Sequence, residues 1–291
     1  MIPTSVKYVV ISPVRDEQDY IEQTIRSMLN QTIKPCEWVI VNDGSEDETR
    51  NIVDRFAAEV PWIKTVHRRN RGYRKAGAGV VEAFYEGYEL IATDVWDFIV
   101  KLDGDLSFDS KYFELCFKKF QENEKLGIGG GDIYHRINGR LKLDKSPRFH
   151  VRGATKIYRR ACWEAIGGLL EVPGWDSLDE LKANMLGWQT YSFNDLKLLH
   201  HRFTGSADGC WKDSVKNGVS DYISGYHPLY MFFKCLKRMK DRPYIINAVG
   251  HAWGFIRGYA KGIQQVKDPA LICFLRQQQL RKLTFRKTIL K

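Results

Sequence analysis

The chain has 291 residues, of which 44% are hydrophobic and 27% are charged, a balance that predicts a folded protein with a sizeable core. No apolar run reaches the roughly 18 residues of a membrane-spanning helix, which argues against an integral membrane protein. The N-terminus shows no signal-sequence pattern, and the six cysteines form no C-x-x-C pair. We therefore expect a cytoplasmic protein with free thiols.

The net charge of +10 is unevenly distributed along the chain. Residues 231–291 hold 14 Lys and Arg against two acids, whereas residues 1–230 hold 31 bases and 33 acids. The basic excess therefore belongs to the last sixty residues. A basic segment of this kind fits an anionic membrane surface or a nucleic acid.

The first hundred residues alternate between strand and helix patterns. We predict strands at 6–11, 37–41, 62–66 and 96–102, with the first ending at Ser12-Pro13. Helices are predicted at 20–29, after a capping box at 45–48, and at 78–91. This alternation predicts an α/β fold with a parallel sheet and right-handed crossovers.

The second half is less regular. We predict helices at 108–120, 160–166 and 178–186, and strands at 154–158 and 195–199. The glycine-rich residues 127–131 indicate a turn or a close backbone approach. A boundary is expected near 230, where the charge changes and an aromatic segment, 222–233, occurs.

Acidic groups follow three of the predicted parallel strands. They lie in residues 13–17, 42–45 and 103–105, the last being Asp103-Gly104-Asp105. Ligands of open α/β sheets bind beyond the carboxyl ends of the strands. Two carboxylates one residue apart suit a hard divalent cation that also takes phosphate oxygens. The three strand ends together predict a site for a nucleoside diphosphate and a cation.

Residues 6–50 resemble the start of the family 2 glycosyltransferases, which have a GT-A fold. The family pattern is a strand, P-x-x-N-E, a helix with S-x-x-x-Q, a second strand and D-D/N-G-S-x-D-x-T. Asp16 stands where Asn is usual, and the resemblance continues through Asn70-Arg71-Gly72 and Asp103-Gly104-Asp105 over residues 1–205. The matching positions in the first fifty residues are Pro13, Glu17, Ser27, Gln31, Asp43-Gly44-Ser45, Asp47 and Thr49.

The resemblance implies a mixed, mainly parallel sheet flanked by helices, and a nucleotide site at its edge. Asp43 would face the base, Asp103 with Gly104 would lie near the ribose or the cation, and Asp105 would bind Mn²⁺ or Mg²⁺. The family's Arg-Asn pair is replaced by Gly77-Ala78, so a basic side chain of the preceding loop is expected to reach the nucleotide instead. The remaining candidates are Pro13, Val14 and Glu17, which would frame the nucleotide, and Arg74 or Lys75 in that loop.

Family members also carry an Asp at the start of a helix, which deprotonates the acceptor hydroxyl. Counting back from Gly187 puts Asp176 in register, where it would also N-cap the helix. Trp175 occupies the position of the usual preceding Glu, which leaves Asp179 or Glu180 as alternative bases.

Many GT-A enzymes complete the cation site with a histidine late in the domain. The pair His200-His201 follows the last predicted strand, and neutral imidazole suits such a site. His201 is the candidate ligand, with His200 in reserve.

The resemblance implies an inverting glycosyltransferase that moves a sugar, as a hexosyl unit, from a UDP or GDP sugar to an acceptor hydroxyl. Polysaccharide or glycolipid assembly is the expected setting. Residues 1–230 would form the catalytic domain, with a nucleotide-sugar half at 1–105 and an acceptor half at 106–230. Residues 231–291 would form a basic, amphipathic helical extension.

The extension leaves three alternatives open. Residues 244–259 are apolar and aromatic but too polar to span a bilayer. They would lie in a membrane interface, pack on the catalytic domain or mediate a dimer. The membrane alternative predicts peripheral association with the inner face and a lipid-linked saccharide acceptor. The oligomeric state is not predicted.

Two other functions fit parts of the sequence. A sugar-phosphate nucleotidyltransferase also uses a parallel sheet and paired acids, but a glycine-rich basic loop would follow its first strand, where Ser12-Pro13-Val14-Arg15 stands. A non-catalytic nucleic-acid or anion-binding protein would use the basic tail. That tail has no zinc-ligand spacing and no nucleic-acid motif, which disfavours nucleic acid.

Overall fold

The computed structural model describes residues 6–73, 77–202, 209–240 and 244–290. The strands are β1 (Tyr8–Val14), β2 (Glu37–Asn42), β3 (Ile63–His67), β4 (Phe98–Leu102), β5 (Leu106–Phe108), β6 (Leu126–Ile137), β7 (Arg140–Leu143), β8 (Thr155–Arg159) and β9 (Gln189–His200). The helices are α1 (Ile21–Leu29), α2 (Thr49–Glu59), α3 (Ala78–Glu89), α4 (Tyr112–Glu122), α5 (Arg160–Ile166), α6 (Trp175–Met185), α7 (Cys210–Ile223), α8 (Pro228–Arg238), α9 (Ile246–Ala260) and α10 (Pro269–Leu283).

The strands form one mixed sheet in the order β3-β2-β1-β4-β8-β6-β9-β5, with β7 paired to β6. Strands β1 to β4 are mutually parallel, as are β6 and β9, whereas β8 is antiparallel to both of its neighbours. The chain moves outward from β1 through β2 to β3 and then returns to the other side of β1 as β4. This reversal of strand order opens a crevice beyond the carboxyl ends of β1 and β4.

Both faces of the sheet are covered, as expected for parallel strands. Successive side chains of a strand point to opposite faces, so Tyr8 and Val10 of β1 enter one core while Val9 and Ile11 enter the other. The first core includes α1 and α4, and the second includes α3 and α5. These layers hold β1 and β4 rigidly beneath the crevice.

A third core joins α6 to the last four helices, through residues such as Leu181, Tyr222, Phe255 and Leu271. Helices α7 and α9 cross closely at Gly254, where a Cβ would lie only 2.1 Å from the Val215 carbonyl oxygen. Helix α7 thus packs with the C-terminal helices, although it precedes residue 230. The division of the chain at 230 remains a prediction. Within the described ranges, each helix is too short or too polar to cross a membrane.

Most predicted elements are present, with shifted ends. Strand β1 continues through Pro13 to Val14, so the predicted end at Ser12-Pro13 is wrong. Strand β4 pairs with β1 only as far as Ile11, and beyond it β1 has a single neighbour, where proline is tolerated. Helix α4 begins at Tyr112, and β9 is much longer than the predicted 195–199.

Two local predictions need correction. Ser45 is not an N-cap, since α2 begins at Thr49 and the Ser45 hydroxyl accepts the Asp16 N–H at 2.9 Å. The glycines at 127–131 form no turn and lie inside β6. Their close packing was predicted correctly, because a Cβ at Gly131 would lie 2.6 Å from the Leu196 carbonyl oxygen.

Candidate active site

The Asp103-Gly104-Asp105 segment leaves β4 at the crevice, beside the end of β1. Gly104 is pressed against β1 and α1, since a Cβ there would lie 2.7 Å from Val14 and 3.1 Å from Ile21. The Thr24 hydroxyl donates to the Gly104 carbonyl at 2.8 Å and fixes the turn. Gly104 and Val14 therefore pack together at the end of β1, next to Pro13 in the chain. The assignment of these three residues to a nucleotide site stays a prediction.

Asp105 is buried and has one oxygen free for a further ligand. His200 Nε2 lies 2.9 Å from Asp105 Oδ2, whereas Oδ1 is buried without a hydrogen-bond partner among the described residues. One ligand atom each from Asp103, Asp105 and His200 lie within 4.8 Å of one another. Two carboxylates and an imidazole with an unsatisfied buried oxygen are a donor set that fits a divalent cation.

The histidine in this group is His200, which the sequence held in reserve. Strand β9 pairs His200 with Leu106, next to Asp105. His201 instead contacts the Ser107 hydroxyl through Nε2 and stacks on Tyr20 at 5.6 Å between ring centres. Successive side chains at the end of β9 point to opposite faces, so only one of the two histidines can face Asp105. The geometry favours His200 over His201 as a ligand.

Glu17 adds a third carboxyl group to the crevice. Its backbone N–H donates to Thr49 Oγ1 at 2.7 Å, and Arg202 approaches its carboxylate at 2.9 Å. Burial, and then the negative charge of Asp105, raise the pKa of Glu17 to about 9 although Arg202 opposes the shift. Crowding of carboxyl groups to this degree marks a place where added positive charge would be favourable.

Asp43, which directly follows β2, is held by two arginines that were not among the predicted site residues. Arg68 donates to Asp43 Oδ1 at 2.7 Å, and Arg71 donates to Oδ2 at 2.6 Å. Both guanidinium groups also pair with acids of α3, Glu86 and Glu82. The run of basic residues after β3 was the feature of the sequence that could have indicated these partners of Asp43. The candidates Arg74 and Lys75 lie outside the described residues.

Asp103 is linked to Gly153 through Lys101, and Asp176 lies beside the same glycine. Lys101 contacts Asp103 and donates to the Gly153 carbonyl at 2.7 Å. A Cβ at Gly153 would lie 3.3 Å from Asp176 Oδ2. Asp176 is half-buried in the first turn of α6, and Gly174 occupies the N-cap position predicted for it. The Asp176 carboxylate therefore does not serve as the cap of α6 and lies beside Gly153.

Asp179 and Glu180, the alternative bases, are buried in a charge cluster below Asp176. Lys156 lies 2.9 Å from each of their carboxylates, and its ammonium group also donates to the Asp176 carbonyl. Tyr158 donates to Asp179 at 2.5 Å, and His150 lies 2.8 Å from Glu180. These engaged carboxylates have no access to an acceptor, which favours Asp176.

The cluster predicts a large stability effect for Lys156→Met. Removal of the ammonium group would leave Asp179 and Glu180 buried without their counter-charge, and we expect the free energy of unfolding to fall by about 3–5 kcal/mol in urea titrations. The control is Lys182→Met on α6, the helix of Asp179 and Glu180. Lys182 is partly exposed and lies 3.5 Å from Asp268, so this change should lower the free energy of unfolding by less than about 1 kcal/mol. Equal stability of the two variants would contradict this description of the cluster.

A family model for glycosyl transferase family 2 matches residues 9–167, more than half of the chain. The chain belongs to glycosyl transferase family 2. Among curated relatives, the chondroitin synthase of Pasteurella multocida strain Pm70 is 30% identical over 114 residues, which are 39% of this chain and 11% of the relative. The uncharacterized glycosyltransferase EpsJ of Bacillus subtilis is 27% identical over 134 residues, 45% of this chain and 35% of the relative. The chain thus aligns with a minor part of these relatives.

Solved structures show the same GT-A fold. S. aureus TarS 1–349 superposes with a TM-score of 0.57 at 16% identity, covering 96% of this chain and 83% of TarS. A mannosyltransferase from Pyrobaculum calidifontis, solved with GDP-Man and Mn²⁺, superposes with a TM-score of 0.54 at 17% identity, covering 96% and 82%. At these identities the likeness establishes only the fold of the chain. Its ligands must be inferred from its own residues.

Proposed function

We propose that this chain is an inverting, metal-dependent glycosyltransferase that moves a hexosyl unit from a nucleoside diphosphate sugar to a saccharide hydroxyl. The observation that carries the proposal is the buried Asp105 Oδ1, which has no hydrogen-bond partner in the described part of the chain and lies beside His200 and Asp103 at the reversal of strand order. A cation there would meet the diphosphate of a donor lying against Pro13, Val14 and Gly104.

Asp105, His200 and Asp103 would hold Mn²⁺ or Mg²⁺. The bound cation would supply Lewis-acid stabilisation of the diphosphate. His200 Nε2 and Asp105 Oδ2 lie 2.9 Å apart, a spacing at which both atoms could ligate one cation in place of their mutual contact. Lys101 contacts Asp103. Asp103 is the more exposed of the two aspartates, which fits a role toward the ribose or the outer side of the cation.

A UDP or GDP sugar is the proposed donor. Structures of related fold have been solved with UDP, UDP-GlcNAc and GDP-Man. Asp43 would accept a hydrogen bond from the base, since an ionised carboxylate has about four acceptor sites and Arg68 and Arg71 use two of them. Glu17 would close the other side of the nucleotide pocket.

Asp176 is the proposed base. The acceptor hydroxyl oxygen would bond to the anomeric carbon while the bond from that carbon to the diphosphate breaks, and the hydroxyl proton would pass to the Asp176 carboxylate. A single displacement inverts the anomeric configuration. Lys156 holds the Asp176 backbone carbonyl and thereby fixes the first turn of α6.

The acceptor is proposed from the relatives and the basic extension. Relatives named as chondroitin and hyaluronan synthases support a polysaccharide product. The positive charge of residues 231–291 supports work at an anionic membrane, on a lipid-linked saccharide at the inner face.

A thermal-shift panel of nucleotide sugars tests the proposed donor class. With Mn²⁺ and donor at about a hundred times its Kd, linkage adds about 2.7 kcal/mol to stability. For a chain of this size we expect one UDP or GDP sugar to raise Tm by about 4–5 °C. The same sugar in EDTA should give a much smaller rise. Failure of every UDP and GDP sugar to raise Tm with Mn²⁺ would count against the proposal.

A further inference from the structure

Two neighbouring C-terminal helices each expose an apolar stripe. On α8, Leu229, Phe232, Phe233 and Leu236 are all exposed and follow the i, i+3, i+4, i+7 spacing of one helix face. On α9, three exposed side chains follow the i, i+4, i+7 spacing. We call these seven residues the α8–α9 face: Leu229, Phe232, Phe233, Leu236, Val249, Trp253 and Ile256.

The helices that carry this face are held to one another by partly buried polar contacts. Asp221 of α7 lies 2.6 Å from His251 of α9 and 2.5 Å from Lys234 of α8. Arg238 of α8 in turn lies 2.6 Å from the other ring nitrogen of His251. These contacts lie on the sides of α8 and α9 that face the protein. The apolar stripes on their opposite sides therefore remain exposed to solvent.

A groove of about 280 Å³ borders the face between α7 and α9. Trp211 and Trp253 line it, each about half exposed, together with Lys212, Lys216 and Arg257. Exposed tryptophans beside cationic side chains are typical of the membrane–water interface, where indole rings lie at the headgroup level. A lipid phosphate would find both donors and aromatic walls in this groove.

The positive charge of residues 231–291 indicates which kind of partner the α8–α9 face would bind. Helices α8, α9 and α10 contain no Asp or Glu, and residues 231–291 carry a net charge of +12. A second copy of the chain would bring the same positive charge against the face, which disfavours a homodimer there. An anionic bilayer offers both complementary charge and an apolar layer beneath it.

We propose that the α8–α9 face docks in the plane of an anionic lipid bilayer, with a lipid phosphate in the Trp211–Trp253 groove. The inference rests on the proposed function, for which it names the surface that brings the site to a lipid-linked acceptor. Stripes of three or four residues per helix, flanked by lysine and arginine, suit shallow insertion at the headgroup boundary.

Vesicle sedimentation with a matched pair of double variants tests the docking. Val249→Gln/Ile256→Gln removes two aliphatic side chains that are 50% and 56% exposed on α9. Val95→Gln/Leu141→Gln is the control, since these residues are 59% and 55% exposed but lie outside the C-terminal helices. The full chain is sedimented with phosphatidylcholine vesicles, with or without about one-third phosphatidylglycerol, at low and high salt.

We expect the wild type and the control to bind only the anionic vesicles and to be released by salt. The α9 double variant should bind at least about tenfold more weakly. Absence of wild-type binding, or equal binding by both double variants, would overturn the proposal. So would a salt-resistant dimer that the α9 variant alone converts to monomer.

The donor-induced rise in Tm, measured on the same proteins without lipid, separates this proposal from the proposed function. Both double variants should retain the wild-type rise, since neither touches the crevice. Salt-sensitive vesicle binding in a protein that no nucleotide sugar stabilises would leave the docking face intact and overturn the transferase assignment. A normal rise without vesicle binding would overturn the docking alone.

Discussion

Replacing Asp176 with Asn is expected to lower kcat for sugar transfer by about 10²–10⁴-fold, the usual contribution of a general base. Asparagine keeps the shape of the side chain but cannot take the acceptor proton. Donor binding should be nearly unchanged, because Asp176 lies on α6 beside Gly153, whereas the proposed nucleotide wall is formed by β1 and the Asp103-Gly104-Asp105 segment. The measurement is steady-state release of the nucleoside diphosphate, combined with calorimetric titration of the donor.

Asp195→Asn is the matched control for this experiment. Asp195 is an exposed aspartate of β9 that pairs with Lys119 at 2.7 Å, on a surface the mechanism does not use. Its variant should keep wild-type kcat and donor affinity. Wild-type turnover in Asp176→Asn would show that another group accepts the proton. A parallel loss of donor binding would show that Asp176 belongs to the donor pocket.

Replacing Asp105 with Asn is expected to weaken Mn²⁺ binding by at least about tenfold to a hundredfold. The change removes the negative charge of a carboxylate whose Oδ1 atom is buried with no partner among the residues that the structure describes, and it leaves His200 without its carboxylate. The amplitude of the free Mn²⁺ signal in electron paramagnetic resonance titrations reports this affinity directly. Asp109→Asn, at an exposed aspartate near the end of β5, is the control and should bind Mn²⁺ like the wild type.

Variants of the two adjacent histidines, measured in the same Mn²⁺ titration, test which of them is a ligand. His200→Ala should reduce Mn²⁺ affinity, whereas His201→Ala should leave it close to the wild-type value, because His201 contacts Ser107 and Tyr20. The opposite order would restore His201 as the ligand. Unchanged Mn²⁺ binding in Asp105→Asn would remove the basis for a cation at this place.

The sequence predicted the crevice well because its physical cause is simple. Hydrophobic strands in a β-α-β order must lie parallel, so the residues that follow them meet at one edge. Asp43, Asp103 and Asp105 were recognised for this reason. Their spacing along the chain carries the information, and no tertiary contact is needed to find them.

Contacts between distant segments were beyond the sequence. The choice between His200 and His201 depends on where β9 pairs with β5, and a shift of one residue exchanges their faces. Arg68 and Arg71 meet Asp43 only through the packing of the loop after β3 on α3. Likewise, Asp179 and Glu180 of α6 are candidate bases in the sequence, and only the fold brings Lys156 of β8 within 2.9 Å of each of them.

Phosphorus NMR of the purified chain with its stabilising nucleotide sugar and Mg²⁺, which does not broaden phosphorus signals as paramagnetic Mn²⁺ does, tests the central claim most directly. A glycosyltransferase breaks the bond between the sugar and the diphosphate, so we expect the nucleoside diphosphate to accumulate, slowly with water and faster with a saccharide acceptor. Asp105→Asn should give little of this product. Formation of a nucleoside triphosphate and a sugar phosphate after addition of pyrophosphate would instead identify a nucleotidyltransferase and contradict the account.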